Sequence, residues 1–529
     1  MRSVRVRWHV PLALVALTAL AAVLRFRGLH FGLPLTMARP DEEAITTTAA
    51  QIVLHGPNPK FFDYPTLFMY LVALVERLWP GGGAVADDEL PTMIARTAAA
   101  TLGVLSVPLL YASARRLFAV RTGLIAGALL AVAFLHVRDS HFGVTDVPMT
   151  FMVLLAFYAI VIVWRQIDSA RQCFQGSQGS QGSQGFQGQQ GQPGLVVLAA
   201  TACGLAASTK YNAILIALPL AVALWQAKSP PWMFAIALAG IAIGFLVGTP
   251  YALITRDKFL AGLTGLQAHL ASGHATDEGF GWSHHLTFSL RYGVGVPFLA
   301  AALGGMFWLS ATDRRRAALV LSFPVAYYVV MGSGRTVFVR HMTPMVPFVA
   351  LLAAITIDRV ATAAGRAMPS LPGAGAIAAA CLTVALGADS AVRVVALDRL
   401  LRQRDSRSIA AKDIRARFPQ GASVYQNGAI YGHAQLWPEG IYPVLPVERS
   451  PRLIILQTSR LVAYSAEPDG LRASLALRYR LLRRIEVEDP TRAVTPVFDQ
   501  QDAFFVPLTG FERFIRPGPA IEIFERVDD

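Results

Sequence analysis

The stretch DYPTLFMYLVALVERLWP, residues 63–80, decides how the chain is threaded. It is apolar but short, it carries Glu76 and Arg77, and the GGGAVADDEL that follows holds no positive charge. Read as a membrane crossing, it inverts every later loop and turns the arginine clusters ARRLFAVRTG (114–123) and TDRRRAA (312–318) outward. Lys and Arg prefer short cytoplasmic loops, so that reading is the poorer one. Read as a helix lying in the outer interface, the stretch leaves residues about 29–92 as one large external loop and keeps the clusters inside.

Working outward from it, the rest of the chain divides into apolar blocks. Of 529 residues, 54% are hydrophobic and 15% charged. Apolar runs lie at about 9–26, 93–112, 123–137, 147–164, 194–209, 211–226, 231–250, 291–309, 317–332, 343–358 and 373–392. Such runs suit a hydrocarbon core roughly 30 Å thick, and an isolated strand there could not satisfy its backbone. The sequence therefore predicts an all-α polytopic membrane protein with about eleven crossings. The first run has a basic start but no small-residue cleavage site, so it reads as a retained helix with a cytoplasmic N-terminus. The external loops then fall at about 29–92, 138–146, 209–212, 251–290 and 333–342.

Two segments depart from this pattern. Within 166–193, the repeat FQGSQGSQGSQGFQGQQGQPG has almost nothing to bury and reads as a disordered cytoplasmic linker. From about residue 399 to 529 the composition is that of a small external α/β soluble domain, set against a membrane domain over 1–398. DSRSIAAKDIRARFPQG there has helical spacing with a Ser/Asp start and a Pro/Gly stop, while SVYQ, RLIILQT and AIEIFERV read as strands. The chain carries 47 Lys+Arg against 34 Asp+Glu, a formal charge of +13. Cytoplasmic loops account for much of that excess, and no aromatic-interleaved basic surface points to nucleic acid. Cys173, Cys203 and Cys381 are too scattered for a disulfide framework or a zinc site.

The chemistry-bearing residues gather at the outer loops. RPDEEA places Asp41, Glu42 and Glu43 just after the first crossing, where acids also suit the start of an interfacial helix. HVRDSHFGVTDVPM places Asp139, His141 and Asp146 in the next external loop, with Asp146 also suited to capping the helix that follows. Cations appear at the same level: Lys210 in ASTKYNAIL, and Arg335, Arg340 and His341 in GSGRTVFVRHMTP. These either snorkel to lipid headgroups or form an anion site for phosphate, which Arg meets bidentately. His269, His274, His284 and His285, with Asp277 and Glu278, suggest a lid over a cleft and match no compact metal-ligand spacing.

With RPDEEA, DYPTLFMYLVAL, RRLFAVRTGLIAGALLAV, FGVTDVPMTFMVLLAFYA, GLAASTKYNA and RTVFVRHMTPMVPFVALLAA in order over about residues 10–360, the chain resembles bacterial GT-C glycosyltransferases of the protein O-mannosyltransferase and lipid A aminoarabinose-transferase superfamily. The resemblance implies a GT-C fold and transfer of a sugar from a polyprenyl-phosphate donor, with inversion, to a glycan, lipid or protein acceptor at the outer face of a bacterial inner membrane. It makes Asp41 the catalytic carboxylate with Glu42 beside it, Asp146 the second acid, and Lys210 with Arg335 or Arg340 the phosphate-binding cations. Asp139, His141, Tyr64, Tyr211 and His341 become candidate donor or acceptor contacts. No cofactor is called for, a divalent metal is left open, and the extra external sugar-binding modules of eukaryotic members are not evident. Two other classes compete. A lipid-linked sugar transporter or flippase predicts midplane charges and related halves, neither of which the sequence displays. A non-enzymatic envelope assembly protein leaves the meeting of acids and bases at one face unexplained.

Overall fold

A computed structural model describes residues 9–79, 89–176, 193–276, 278–436 and 440–527. Each of the eleven apolar runs is helical. The principal helices are His9–Phe26, Glu89–Leu117, Val120–Val132, Asp146–Gly176, Pro193–Ala207, Ala217–Gln226, Pro231–Gly248, Val296–Thr312, Arg314–Gly332, Val346–Ala367 and Ala374–Leu401. Six described helices are long and apolar enough to cross a membrane, seven if Gly281–Val294 and Val296–Thr312, bent by 114°, form one span. Val120–Val132 and Pro193–Ala207 are apolar but shorter. The bundle presents Leu238, Val247, Phe307 and Val384 outward, each more than two-thirds exposed, as lipid-facing side chains should be.

Small residues let the backbones approach. A Cβ on Gly204 would lie 2.1 Å from the Ile241 carbonyl oxygen, and one on Gly244 would lie 2.2 Å from that of Thr201. Helices Pro193–Ala207 and Pro231–Gly248 therefore pack nearly backbone to backbone, the usual device where hydrophobicity cannot drive helices together.

The deciding stretch forms the helix Leu67–Leu78, 12 residues long. At 1.5 Å per residue it spans about 18 Å, short of a hydrocarbon core. It buries Phe68, Met69, Val72 and Ala73 against the helix Glu42–His55 and leaves Leu74 and Leu78 exposed. The loop expected at 251–290 is largely helical, with Arg256–Ser272 and Gly281–Val294 inside it; Asp277 lies outside the described residues. The helix from Asp146 continues to Gly176, past the expected start of the linker at 166, because its hydrogen-bonding pattern outlasts its apolar run. The remainder of that linker, 177–192, lies outside the described residues.

The C-terminal region holds a four-stranded sheet of order β1-β2-β4-β3, made of β1 (Val424–Gln426), β2 (Leu453–Thr458), β3 (Tyr479–Ile485) and β4 (Ala520–Arg526). β1 and β2 are parallel and the other pairs antiparallel, with Ile455 opposite Ile523. The helix Ser406–Arg417 starts where the Asp405 carboxylate accepts the Arg407 N–H at 2.9 Å, and packs on the sheet through Ala410 and Ile414. Phe504, Val506, Leu508 and Phe511 leave this small core and join the core of the membrane helices. The boundary expected at residue 399 falls inside the helix Ala374–Leu401, and Phe504 and Phe511 of the C-terminal region pack into the helical core.

Candidate active site

Pro40 delivers Asp41 to the first position before the helix Glu42–His55, with φ at 72°. This left-handed conformation is unusual for a residue with a side chain, and such strain gathers at functional positions. The Asp41 side chain makes no cap hydrogen bond. Its carboxylate instead accepts from Arg340 Nη2 at 2.6 Å. Arg340 Nη1 donates to Asp502 at 2.6 Å, and the other Asp502 oxygen accepts from Arg39 at 3.0 Å. The chain of charges Asp41–Arg340–Asp502–Arg39 thus joins the loop after the first helix, the turn Val339–Met345 and the C-terminal region. Arg39 is sandwiched against the rings of Phe142 and Phe504 and is wholly buried. Asp41 is the open member, its side chain 28% exposed against 7% for Arg340.

Burial would raise the Asp502 carboxyl, but Arg340 and Arg39 hold it below the usual carboxylate range. Asp499, whose carboxylate accepts the Val339 N–H at 2.9 Å, moves the other way, pushed up by burial and by the charge on Asp502.

A second ion pair lies alongside. Lys210 Nζ donates to Asp146 at 2.7 Å, and the same ammonium sits 6.0 Å from the centre of the Tyr64 ring. Burial, then the charges of Asp41 and Asp146, raise the Tyr64 phenol well above its ordinary value, so it remains a hydrogen-bond donor at any working pH. Tyr64 therefore feels the carboxylates of both pairs. His341 is buried with its Nδ1 unbonded, 6.3 Å from the His285 ring and 5.3 Å from Phe338, the ring beneath Arg340. Tyr211 anchors the wall by donating from its hydroxyl to the Phe62 carbonyl at 2.9 Å.

Three of the anticipated residues lie in the interior. Glu42 is fully buried, gripped by Arg96 at 2.9 and 2.6 Å and accepting the Gly143 N–H at 2.7 Å, which ties the two acidic loops together. Asp139 is buried between Arg138, at 2.9 Å, and the Thr343 hydroxyl, at 2.6 Å; burial pushes its carboxyl up despite Arg138. His141 is buried with Nδ1 against the Val137 carbonyl at 2.8 Å and Nε2 3.3 Å from Asp398. Arg335 is on the rim, exposed, with its guanidinium over Phe280.

Sequence reading did not single out Arg39, Arg96, Asp502 or Tyr431, which donates to Glu43 at 2.6 Å. Arg39 was visible within RPDEEA as the cation beside three acids. For Asp502 the signal was FDQQDAFF, acids set within an aromatic run that has reason to be buried. Among the described residues, no group of three or more His, Cys, Asp or Glu side chains could hold a metal ion.

The apolar helical bundle thus brings acids and cations to face one another at one end, against the C-terminal α/β region. Residues 58–256 match the family model described as dolichyl-phosphate-mannose-protein mannosyltransferase, and so carry a domain of that family. Among solved structures, the Archaeoglobus fulgidus oligosaccharyltransferase in its apo form aligns with a TM-score of 0.55 at 13% identity, over 99% of this chain and 90% of that one. ArnT from Cupriavidus metallidurans bound to undecaprenyl phosphate aligns with a TM-score of 0.51 at 16% identity, over 96% and 97%. Comparison with curated protein sequences finds no match.

Proposed function

We propose that the protein is an inverting glycosyltransferase that moves a sugar from a polyprenyl-phosphate donor to an acceptor hydroxyl at the outer face of a bacterial inner membrane. The observation that carries this reading is the partly exposed Asp41 in contact with Arg340, with the Lys210–Asp146 pair beside the Tyr64 ring. A base and two phosphate-seeking cations therefore share one end of an apolar bundle that can take a lipid tail. The ArnT structure with undecaprenyl phosphate supports a lipid-phosphate ligand for this fold.

In the proposed reaction the acceptor oxygen attacks the anomeric carbon from the face opposite the phosphate. Asp41 takes the hydroxyl proton as the new C–O bond forms, and the old C–O bond breaks with its electron pair going to the phosphate. Lys210 and Arg340 stabilise the charge developing on that phosphate, and the fixed ion-pair partners Asp146 and Asp502 hold them in place. Glu42 acts from the interior, through Arg96, by fixing the loop that carries Asp41. Eleven crossings, a cytoplasmic N-terminus and an external C-terminal domain complete the proposal.

The test is incubation of purified protein with a panel of polyprenyl-phosphate sugars, following release of polyprenyl phosphate with and without candidate acceptors. Acceptor-dependent release is expected for at least one donor. Donor movement across vesicle bilayers with no release from any donor would instead establish the flippase reading.

A further inference from the structure

A cavity of about 1170 Å³ opens between the loop Gly28–Thr36, after the first membrane helix, and residues 401–415, where the last membrane helix passes into the C-terminal domain. Its walls are fixed. A Cβ on Gly28 would meet the Leu401 Cβ at 3.1 Å, so loop and helix end are in close contact. Phe31, Leu35 and Leu401 supply buried apolar lining. Arg402, Arg404 and Lys412 form an exposed cationic rim.

Most of the acids of this lining are already paired. Asp405 is held by Arg407 at 2.7 Å, and Asp413 by Arg483 at 2.6 Å. Glu89 also lines the cavity. Arg402, Arg404 and Lys412 form no ion pair with a carboxylate among the described residues. A cluster of cations without counter-charge, set over apolar lining at the end of two membrane helices, offers the two halves of a phospholipid recognition site: cations for the phosphodiester and apolar surface for the first carbons beneath it.

We propose that this cavity holds the phosphate headgroup of an anionic membrane lipid, at a site separate from the catalytic cluster. The two are linked through the backbone. Leu29 and Phe31, on the cavity's loop, accept hydrogen bonds through their carbonyls from Arg96 at 2.7 and 2.6 Å, the same arginine that grips Glu42. A bound lipid would therefore brace the loop that leads to Asp41.

The experiment measures lipid retention by the full chain, using native mass spectrometry after reconstitution in phosphatidylcholine with or without phosphatidylglycerol. Selective retention of phosphatidylglycerol is expected, and the triple variant Arg402→Ala, Arg404→Ala, Lys412→Ala should weaken it on the order of 10²-fold. Arg402→Lys with Arg404→Lys preserves the charge and should retain the lipid. Equal retention of both lipids by the parent, or undiminished retention by the folded triple variant, overturns the proposal. So does displacement of the lipid by inorganic phosphate or glycerol phosphate at matching concentration, which would mark a site for a free anion. Retention is read without turnover, so failure here leaves the catalytic proposal standing, and the converse holds.

Discussion

Asp41 and Arg340 make opposite use of their shared ion pair. Asp41 reaches solvent, whereas Arg340 is nearly buried and divides its guanidinium between Asp41 and Asp502. Asp41→Asn keeps the shape and tolerates the left-handed backbone, so donor binding should survive while turnover falls by about 10²–10⁴, the scale of general-base removal. Single-turnover assays alongside donor titration separate the two effects. Arg340→Ala should weaken donor binding and slow transfer together, because the guanidinium it removes would hold phosphate in ground and transition states alike. It should also cost stability of about 3–5 kcal/mol by leaving buried charge uncompensated. Arg335→Ala, on the exposed rim, should change turnover by less than about threefold, as surface substitutions usually do. Asp41, Asp146, Lys210 and Arg340 were legible because charge at the edge of an apolar run demands a reason. The pairing of Asp502 with Arg39 was not, since it spans 463 positions and no local spacing encodes it.

At the scale of elements, the C-terminal segment is where sequence and structure part most. The strands SVYQ, RLIILQT and AIEIFERV were visible as short β-rich runs, and each appears in the sheet. β3, YRLLRRI, was missed because three arginines interrupt it and it is mostly half-exposed, leaving no continuous apolar face to read. The packing of Phe504 and Phe511 among membrane helices was likewise invisible, since an aromatic run does not announce which core it joins. Docking of this segment should depend on acid. With a depressed pKa, Asp502 contributes stability that is fully present above the ordinary carboxylate value of 3.8 and lost as pH falls through its lower folded value. Corrected for the intrinsic rate, which itself slows in acid, hydrogen exchange over residues 499–511 should therefore quicken on acidification in the parent. In Asp502→Asn it should already be faster at neutral pH, and the difference between the two should shrink as the medium is acidified. That difference isolates Asp502 from Asp499, whose charge acts in the opposite sense.

Among the described residues, hydropathy was sufficient to place a helix at each of the eleven apolar runs, because burial in lipid leaves the backbone few other solutions. It was less informative about which of them span. Six or seven meet the length and composition of a crossing, and shorter ones such as Val120–Val132 are packed among neighbours that shield their ends. Reporter fusions at positions 180 and 480 should report opposite compartments, with the latter external. If they agree, the proposed parity of crossings is wrong and the outer-face location of the site goes with it.

The Arg39–Asp502–Arg340 bridge also bears on synthesis. Arg39 and Asp502 lie 463 positions apart, so during synthesis most of the helices between them can insert before the acid that fixes both arginines is made. Until Asp502 docks, Arg340 has Asp41 as its one carboxylate partner among the described residues. Premature termination products ending after the last membrane helix should accordingly bind lipid phosphate poorly and transfer nothing. Co-expression of a separate fragment carrying residues 399–529 should restore activity only when that fragment retains Asp502.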